Sequence, residues 1–190
     1  MKIHYVTSNK AKFDEACKIL DLADLEAKGH EIVHTPLDLD ELQGTSYDIA
    51  RHKIMQAYHE LNEPCLIDDT SLYARAIGGL PGPYIRSFLE AIGAEGLAKL
   101  ISHYDDHSCT VVNHIAFAKN GHEPLFFEGI LHGTIVMPRG TRVPNLTNWN
   151  AIFQPEGESR TFAEMSLDEM SLLSARSIAL TNFRNYLLAK

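Results

Sequence analysis

The run Cys65-Leu66-Ile67-Asp68-Asp69-Thr70-Ser71-Leu72 places two adjacent carboxylates and two small hydroxyls directly after an apolar triplet. Oxygen ligands at a strand terminus suit a hard cation such as Mg²⁺, and Mg²⁺ in a chain of this size points to phosphate chemistry. Neighbouring strand residues face opposite sides. Asp68 and Asp69 therefore cannot both face one cleft unless the strand ends between them. One is expected to serve the metal or the attacking water, the other to orient a neighbouring lysine or cap the turn. Glu41, within Leu39-Asp40-Glu41-Leu42-Gln43-Gly44, is a third carboxylate in a loop after a strand. The following Gly78-Gly79-Leu80-Pro81-Gly82-Pro83 run reads as a rigid turn that needs left-handed backbone positions.

A second constellation lies at the N-terminus, where Ile3–Val6 reads as a buried strand and Thr7-Ser8-Asn9-Lys10-Ala11-Lys12 follows it. Strand, short polar turn and helix leave free backbone N–H groups and the positive end of the helix dipole, which together favour a phosphate. Thr7, Ser8 and Asn9 supply the turn, and Lys10 and Lys12 add cationic reach. The plainer reading is a capped helix with solvated lysines. Lysine is disfavoured at that end of a helix, so a nearby anion would compensate it.

The elements that must hold these residues follow from periodicity. Phe13, Cys17 and Leu20 predict a helix from about residue 10 to 21. Glu31–Leu37 reads as a strand, and Ala50, Ile54, Ala57 and Leu61 mark an amphipathic helix that also carries Lys53. Cys65–Ile67 is the third strand, residues 84–101 a helix broken at Gly93, and Cys109–Ala118 with Phe126–Val136 an antiparallel pair. Pro138–Pro155 is loop-like, and Leu173, Leu180, Phe183 and Leu187 predict a closing helix from Glu169. Strands alternating with helices, plus a mid-chain hairpin, give an α/β protein with a mixed sheet. No composition shift marks a linker, so residues 1–190 are expected to form one domain.

The net charge of −8 argues against a nucleic-acid partner, though not against a small phosphorylated ligand. No apolar run is long enough to span a membrane. The chain enters Lys2-Ile3-His4-Tyr5-Val6 without a signal-peptide core, so a cytoplasmic location is expected. Cys17, Cys65 and Cys109 are widely spaced and fit reduced thiols rather than a disulfide or zinc site.

With these blocks in order, the chain resembles the inosine triphosphate pyrophosphatase family over nearly its whole length. Further matching blocks are Pro138-Arg139-Gly140, Phe153-Gln154-Pro155-Glu156-Gly157 and Thr161-Phe162-Ala163-Glu164-Met165. The resemblance implies an elongated α/β fold with two lobes around a central substrate cleft, usually a homodimer. It also implies Mg²⁺-dependent hydrolysis of a nucleoside triphosphate to the monophosphate and pyrophosphate. Carried over by position, Thr7, Asn9, Lys12 and Lys53 bind the triphosphate, and Glu41 and Asp69 hold Mg²⁺. Asp69 also positions or deprotonates the water, so Asp69, Lys12 and Lys53 form the expected catalytic set. Ser8, Asp68 and Thr70 complete the phosphate end.

The base-reading half departs from the family pattern. Members usually carry Phe/Gly-Trp/Tyr-Asp-Pro where this chain has Thr147-Asn148-Trp149-Asn150-Ala151, and a lysine and Ser-His-Arg where it has Met170 and Ser174-Ala175-Arg176. Trp149, Ser174 and Arg176 remain as expected substrate contacts, joined by Asn150. Lysine and histidine are donors to a 6-keto oxygen, and their loss removes the wall that rejects a 6-amino group. A side-chain amide both donates and accepts, the pairing amides make with adenine edges. Three readings follow: a pyrophosphatase with altered or relaxed base preference, an ordinary inosine/xanthosine triphosphatase, or a non-catalytic nucleotide-binding regulator. Retention of Lys12, Glu41, Lys53, Asp68 and Asp69 weighs against the last.

Overall fold

The structure, a computed structural model, describes residues 1–120, 122–140 and 149–189. In chain order the elements are β1 (Lys2–Val6), α1 (Lys10–Leu20), α2 (Leu22–Ala27), β2 (Glu31–Thr35), α3 (Ser46–Leu61), β3 (Cys65–Ala74) and β4 (Pro81–Gly82). They continue as α4 (Ile85–Ile101), β5 (Ser108–Ala118), β6 (Leu125–Ile135), β7 (Phe153–Pro155), α5 (Leu167–Leu173) and α6 (Ala175–Leu188). The seven strands form one mixed sheet of order β2-β1-β3-β5-β6-β7, with β4 attached to β3. β1 runs parallel to β2 and β3, whereas β4 and β7 pair antiparallel with β3 and β6. The expected α/β class with a mixed, helix-flanked sheet is therefore present.

The chain divides into two compact units. The first holds Met1–Asp69, Asn113–Gly129 and the segment from Ala175; the second holds Thr70–Val112 and Ile130–Ser174.

Strand alternation builds two cores in the first unit. Ile3 and Tyr5 of β1, Leu66 of β3 and Ile115 and Phe117 of β5 pack with Leu20, Leu25, Leu180 and Phe183 of α1, α2 and α6. The intervening residues Val6, Cys65, Ile67, Ala116 and Ala118 pack with Ala50, Ile54 and Ala57 of α3. One sheet face thus belongs to α1 and α6, the other to α3. At Gly129 a Cβ would lie 1.8 Å from the Ala175 carbonyl oxygen. Only glycine admits that approach, which seats the start of α6 against β6.

The second unit carries the turn around β4, where Gly78, Gly79 and Gly82 have φ of 67°, 88° and 58°, as their sequence required. Its small aromatic core joins Trp149, Phe153 and Phe162, with Phe153 and Phe162 centroids 5.1 Å apart.

Several element boundaries differ from the sequence expectation. β2 stops at Thr35 because Pro36 has no N–H to extend the ladder. β3 does not end at its carboxylates; buried Leu72 and Ala74 carry it onward, and Leu72 and Tyr73 pair with β4. Two short elements, α2 and β7, lacked enough periodic residues to be anticipated. The closing helix is two helices, separated at Ser174 by its extended backbone. The Gly93 break is real, at φ 69° and ψ 171°. All three cysteines are free, and burial pushes the Cys65 and Cys109 thiols up to about 12, where they are unreactive. Among the described residues no helix is long and apolar enough to cross a membrane.

Candidate active site

Strand parity separates the two aspartates. Asp68 shares the face of Leu66 and meets α1 and α6; Asp69 shares the face of Ile67 and meets α3. Because β3 runs straight through both, each carboxylate builds its own cation site.

Asp69 accepts from Lys53 Nζ at 2.7 Å, and the same ammonium donates to Glu41 Oε1 at 3.2 Å. Lys53 and Asp69 side chains are each 12% exposed, so solvent screens this pair weakly. Burial works against the lysine charge, but Asp69 and then Glu41 outweigh it and lift its pKa above the ordinary value. The sequence placed Lys53 beside an apolar stripe, and α3 presents it to both metal-candidate carboxylates.

Asp68 is enclosed more completely, with a side chain 0% exposed. Arg176 Nε donates to Oδ2 at 2.6 Å and Tyr5 Oη to the same oxygen at 2.9 Å; Asn113 Nδ2 donates to Oδ1 at 2.6 Å. Arg176 also donates to Glu15 at 2.7 Å, which ties α6 to α1. Burial would raise the Asp68 pKa, but Arg176, Lys12, Asn113 and Tyr5 together hold it well below the usual carboxylate range. Lys12 reaches this site from α1 and donates to the Asp68 peptide oxygen at 3.2 Å.

The N-terminal turn is ordered by its own side chains. Asn9 N donates to Thr7 Oγ1 at 3.1 Å, while Asn9 Oδ1 accepts from Ala11 N at 3.0 Å and Lys12 N at 3.4 Å. Asn9 is thus the N-cap of α1, and Ser8 is exposed in the turn before it. Lys10 is engaged with Asp14 at 2.7 Å on the outer surface, so Lys12 is the lysine directed to the carboxylates.

Thr7, Ser8, Asn9, Lys12, Glu41, Lys53, Asp68, Asp69 and Arg176 all belong to the first unit; Thr70, Trp149, Asn150 and Ser174 belong to the second. In the second unit Asn150 donates to Met170 Sδ at 3.6 Å, so two positions that depart from the family pattern touch each other. Thr147 lies outside the described residues.

A sequence model of the Ham1 family matches residues 3–186. This chain belongs to the Ham1 family. It is 38% identical over 188 residues to an inosine triphosphate pyrophosphatase of Puccinia graminis f. sp. tritici, covering 98% of this chain and 96% of that protein. It is 39% identical over 191 residues to one of Yarrowia lipolytica, covering 100% and 97%. The solved HAM1 protein from Coxiella burnetii superposes with a TM-score of 0.84 over 100% of both chains at 24% identity, a likeness of fold.

Sequence reasoning missed four residues that surround the candidate site: Tyr5, Glu15, Asn113 and His114. The available signal was Asn113-His114 inside the apolar run of β5, since polar residues there must be hydrogen-bonded. His114 is buried, with Nε2 3.1 Å from Ser46 Oγ and Nδ1 3.8 Å from a Glu128 carboxylate oxygen. Burial lowers its pKa, and Glu128 and Asp69 only partly offset this. The folded Ham1 chain thus binds this proton less readily than the unfolded one. Its stabilising share is complete above the unfolded value of about 6.5 and is lost as pH falls below it. Wild-type thermal midpoints are expected to drop more steeply than those of His114→Gln between about pH 7.5 and pH 5.5. Parallel curves would contradict this.

Proposed function

We propose that this chain is a nucleoside triphosphate pyrophosphatase, a hydrolase that splits its substrate between the α- and β-phosphates and releases a nucleoside monophosphate and pyrophosphate. The observation that carries the reading is the Lys53 ammonium gripped by both Asp69 and Glu41, one residue along β3 from Asp68, whose peptide oxygen anchors Lys12. Lys12 and Lys53 are two fixed cations for phosphate oxygens, with Thr7, Ser8, Asn9 and Thr70 as hydroxyl and amide donors. Asp69 orients and accepts a proton from the attacking water.

Two carboxylates gathered around one cation form the donor set Mg²⁺ accepts. Among the described residues no three such side chains converge, so Glu41 and Asp69 would share the ion with water and substrate oxygens. When bound, Mg²⁺ would neutralise charge on the phosphates. We further propose that the two units act as a single pyrophosphatase domain, that the chain forms a homodimer, and that it works in the cytoplasm.

The base pocket supports altered or relaxed selectivity. The Asn150–Met170 contact joins two neutral side chains at positions where family members carry an acid and a lysine, so the loss of one charge is matched by loss of the other. Trp149, Ser174 and Arg176 remain as candidate contacts. Pyrophosphate release with Mg²⁺ across ITP, XTP, dITP, the eight common nucleotides and several modified ones tests this reading. ATP is expected to be used at a rate within about tenfold of ITP, since a buried hydrogen-bond reader would impose far more. Asn150→Asp with Met170→Lys should then move the ratio toward ITP. These two are paired because their side chains touch. A wild-type enzyme confined to ITP and XTP would restore the ordinary house-cleaning specificity.

A further inference from the structure

The Asp68 carboxylate is crowded by two neutral donors whose purpose the phosphate clamp does not explain. Tyr5 and Asn113 are both 0% exposed, and they approach from different strands, β1 and β5. Tyr5 and Arg176 occupy Oδ2 at 2.9 and 2.6 Å, and Asn113 occupies Oδ1 at 2.6 Å. Lys12 Nζ is left 3.8 Å from Oδ1, beyond hydrogen-bond range, and donates instead to the Asp68 peptide oxygen at 3.2 Å. Its side chain remains 27% exposed, against 17% for Arg176 and 12% for Lys53. Lys12 is therefore the least committed of the three site cations.

We infer that Tyr5 and Asn113 are positioning residues that keep Lys12 available to phosphate by filling the Asp68 carboxylate with uncharged donors. A weakly hydrated carboxylate attracts any ammonium in reach, and a direct pair at charge-assisted distance would have to break before a phosphate could be bound. Neutral hydrogen bonds satisfy the anion without adding a competing cation. Arg176 reaches only Oδ2, through Nε, while its Nη1 donates to Glu15; Oδ1 is filled by Asn113. The lysine stays oriented by the peptide oxygen, a weaker anchor than a carboxylate. The inference rests on Lys12 as a phosphate ligand in the proposed reaction.

The test pairs Tyr5→Phe, which keeps the ring in the core, with Asn113→Leu, and reads two quantities in each. One is the rate at which acetic anhydride modifies Lys12 in the folded, ligand-free protein, followed by mass spectrometry. The other is the split between KM and kcat for pyrophosphate release. With a donor removed, Lys12 collapses onto Asp68, so its labelling should slow and KM should rise by about tenfold with kcat within about twofold. Placing either substitution in a Lys12→Ala background should add little further rise. A purely structural role would lower the thermal midpoint and leave Lys12 labelling unchanged, which overturns the inference. So does a fall in kcat at constant KM. Should Tyr5→Phe not fold, Asn113→Leu decides alone. A wild type that releases no pyrophosphate defeats the proposed reaction instead, and the labelling rates still judge the role of the two donors.

Discussion

Asp69→Asn is expected to reduce kcat by about a thousandfold or more while leaving a folded protein. Asparagine keeps the shape and one oxygen that can accept from Lys53. It removes the charge that orients the ammonium, the basic site proposed for the water proton, and half of the carboxylate pair proposed to hold a divalent cation. Stability changes less, because Lys53 retains Glu41 at 3.2 Å and stays on a helix packed through Ala50, Ile54 and Ala57. Steady-state pyrophosphate release beside a thermal melt reads both quantities. Turnover near the wild-type rate would mean that the reacting water is served elsewhere.

Arg176→Met should act on the fold instead. The guanidinium is 17% exposed and links Asp68 at 2.6 Å to Glu15 at 2.7 Å, so its removal leaves two enclosed carboxylates, with Lys12 3.8 Å from the first of them. Breaking such a buried arrangement by deleting one partner costs about 3–5 kcal/mol. The loss should show as a lower urea midpoint with an unchanged slope. Combining Arg176→Met with Asp68→Asn and Glu15→Gln should recover part of it, because the orphaned charges are gone. Linkage gives a second signature. Asp68 is held well below the usual carboxylate range, so its contribution is complete above its unfolded value of about 3.9 and is lost as pH falls through the folded one. A single variant within about 1 kcal/mol of wild type would mean the ion pairs are not what holds α6 to α1.

The proposed phosphate end was legible because its residues adjoin strongly patterned apolar runs. Thr7-Ser8-Asn9 follow Ile3–Val6 and Asp68-Asp69 follow Cys65–Ile67, and parallel pairing of β1 with β3 sets Val6 opposite Ile67. The opposite-face rule assigned Asp68 and Asp69 to different partners in advance, although the strand itself runs five residues past Asp69 to Ala74. What the sequence concealed was long-range pairing between polar groups. Glu15 and Arg176 are 161 residues apart, and Asn113 lies 45 residues from Asp68. No periodicity links such positions; the layering of α1 and α6 over one sheet face joins the first pair, and the adjacency of β3 and β5 joins the second. Short elements were hidden for a different reason. Leu22–Ala27 and Phe153–Pro155 contain too few turns or alternations to rise above their neighbours, and the Ser174 break falls inside a run that is helical on both sides.

The most direct test of the central claim is a ³¹P NMR record of the products formed from ITP and from ATP with Mg²⁺. Every turnover is expected to yield one nucleoside monophosphate and one pyrophosphate, with the signals absent in Asp69→Asn. Diphosphate and orthophosphate would place the cleavage at the γ-phosphate, and neither substrate being consumed would remove the hydrolase reading; either result contradicts the account.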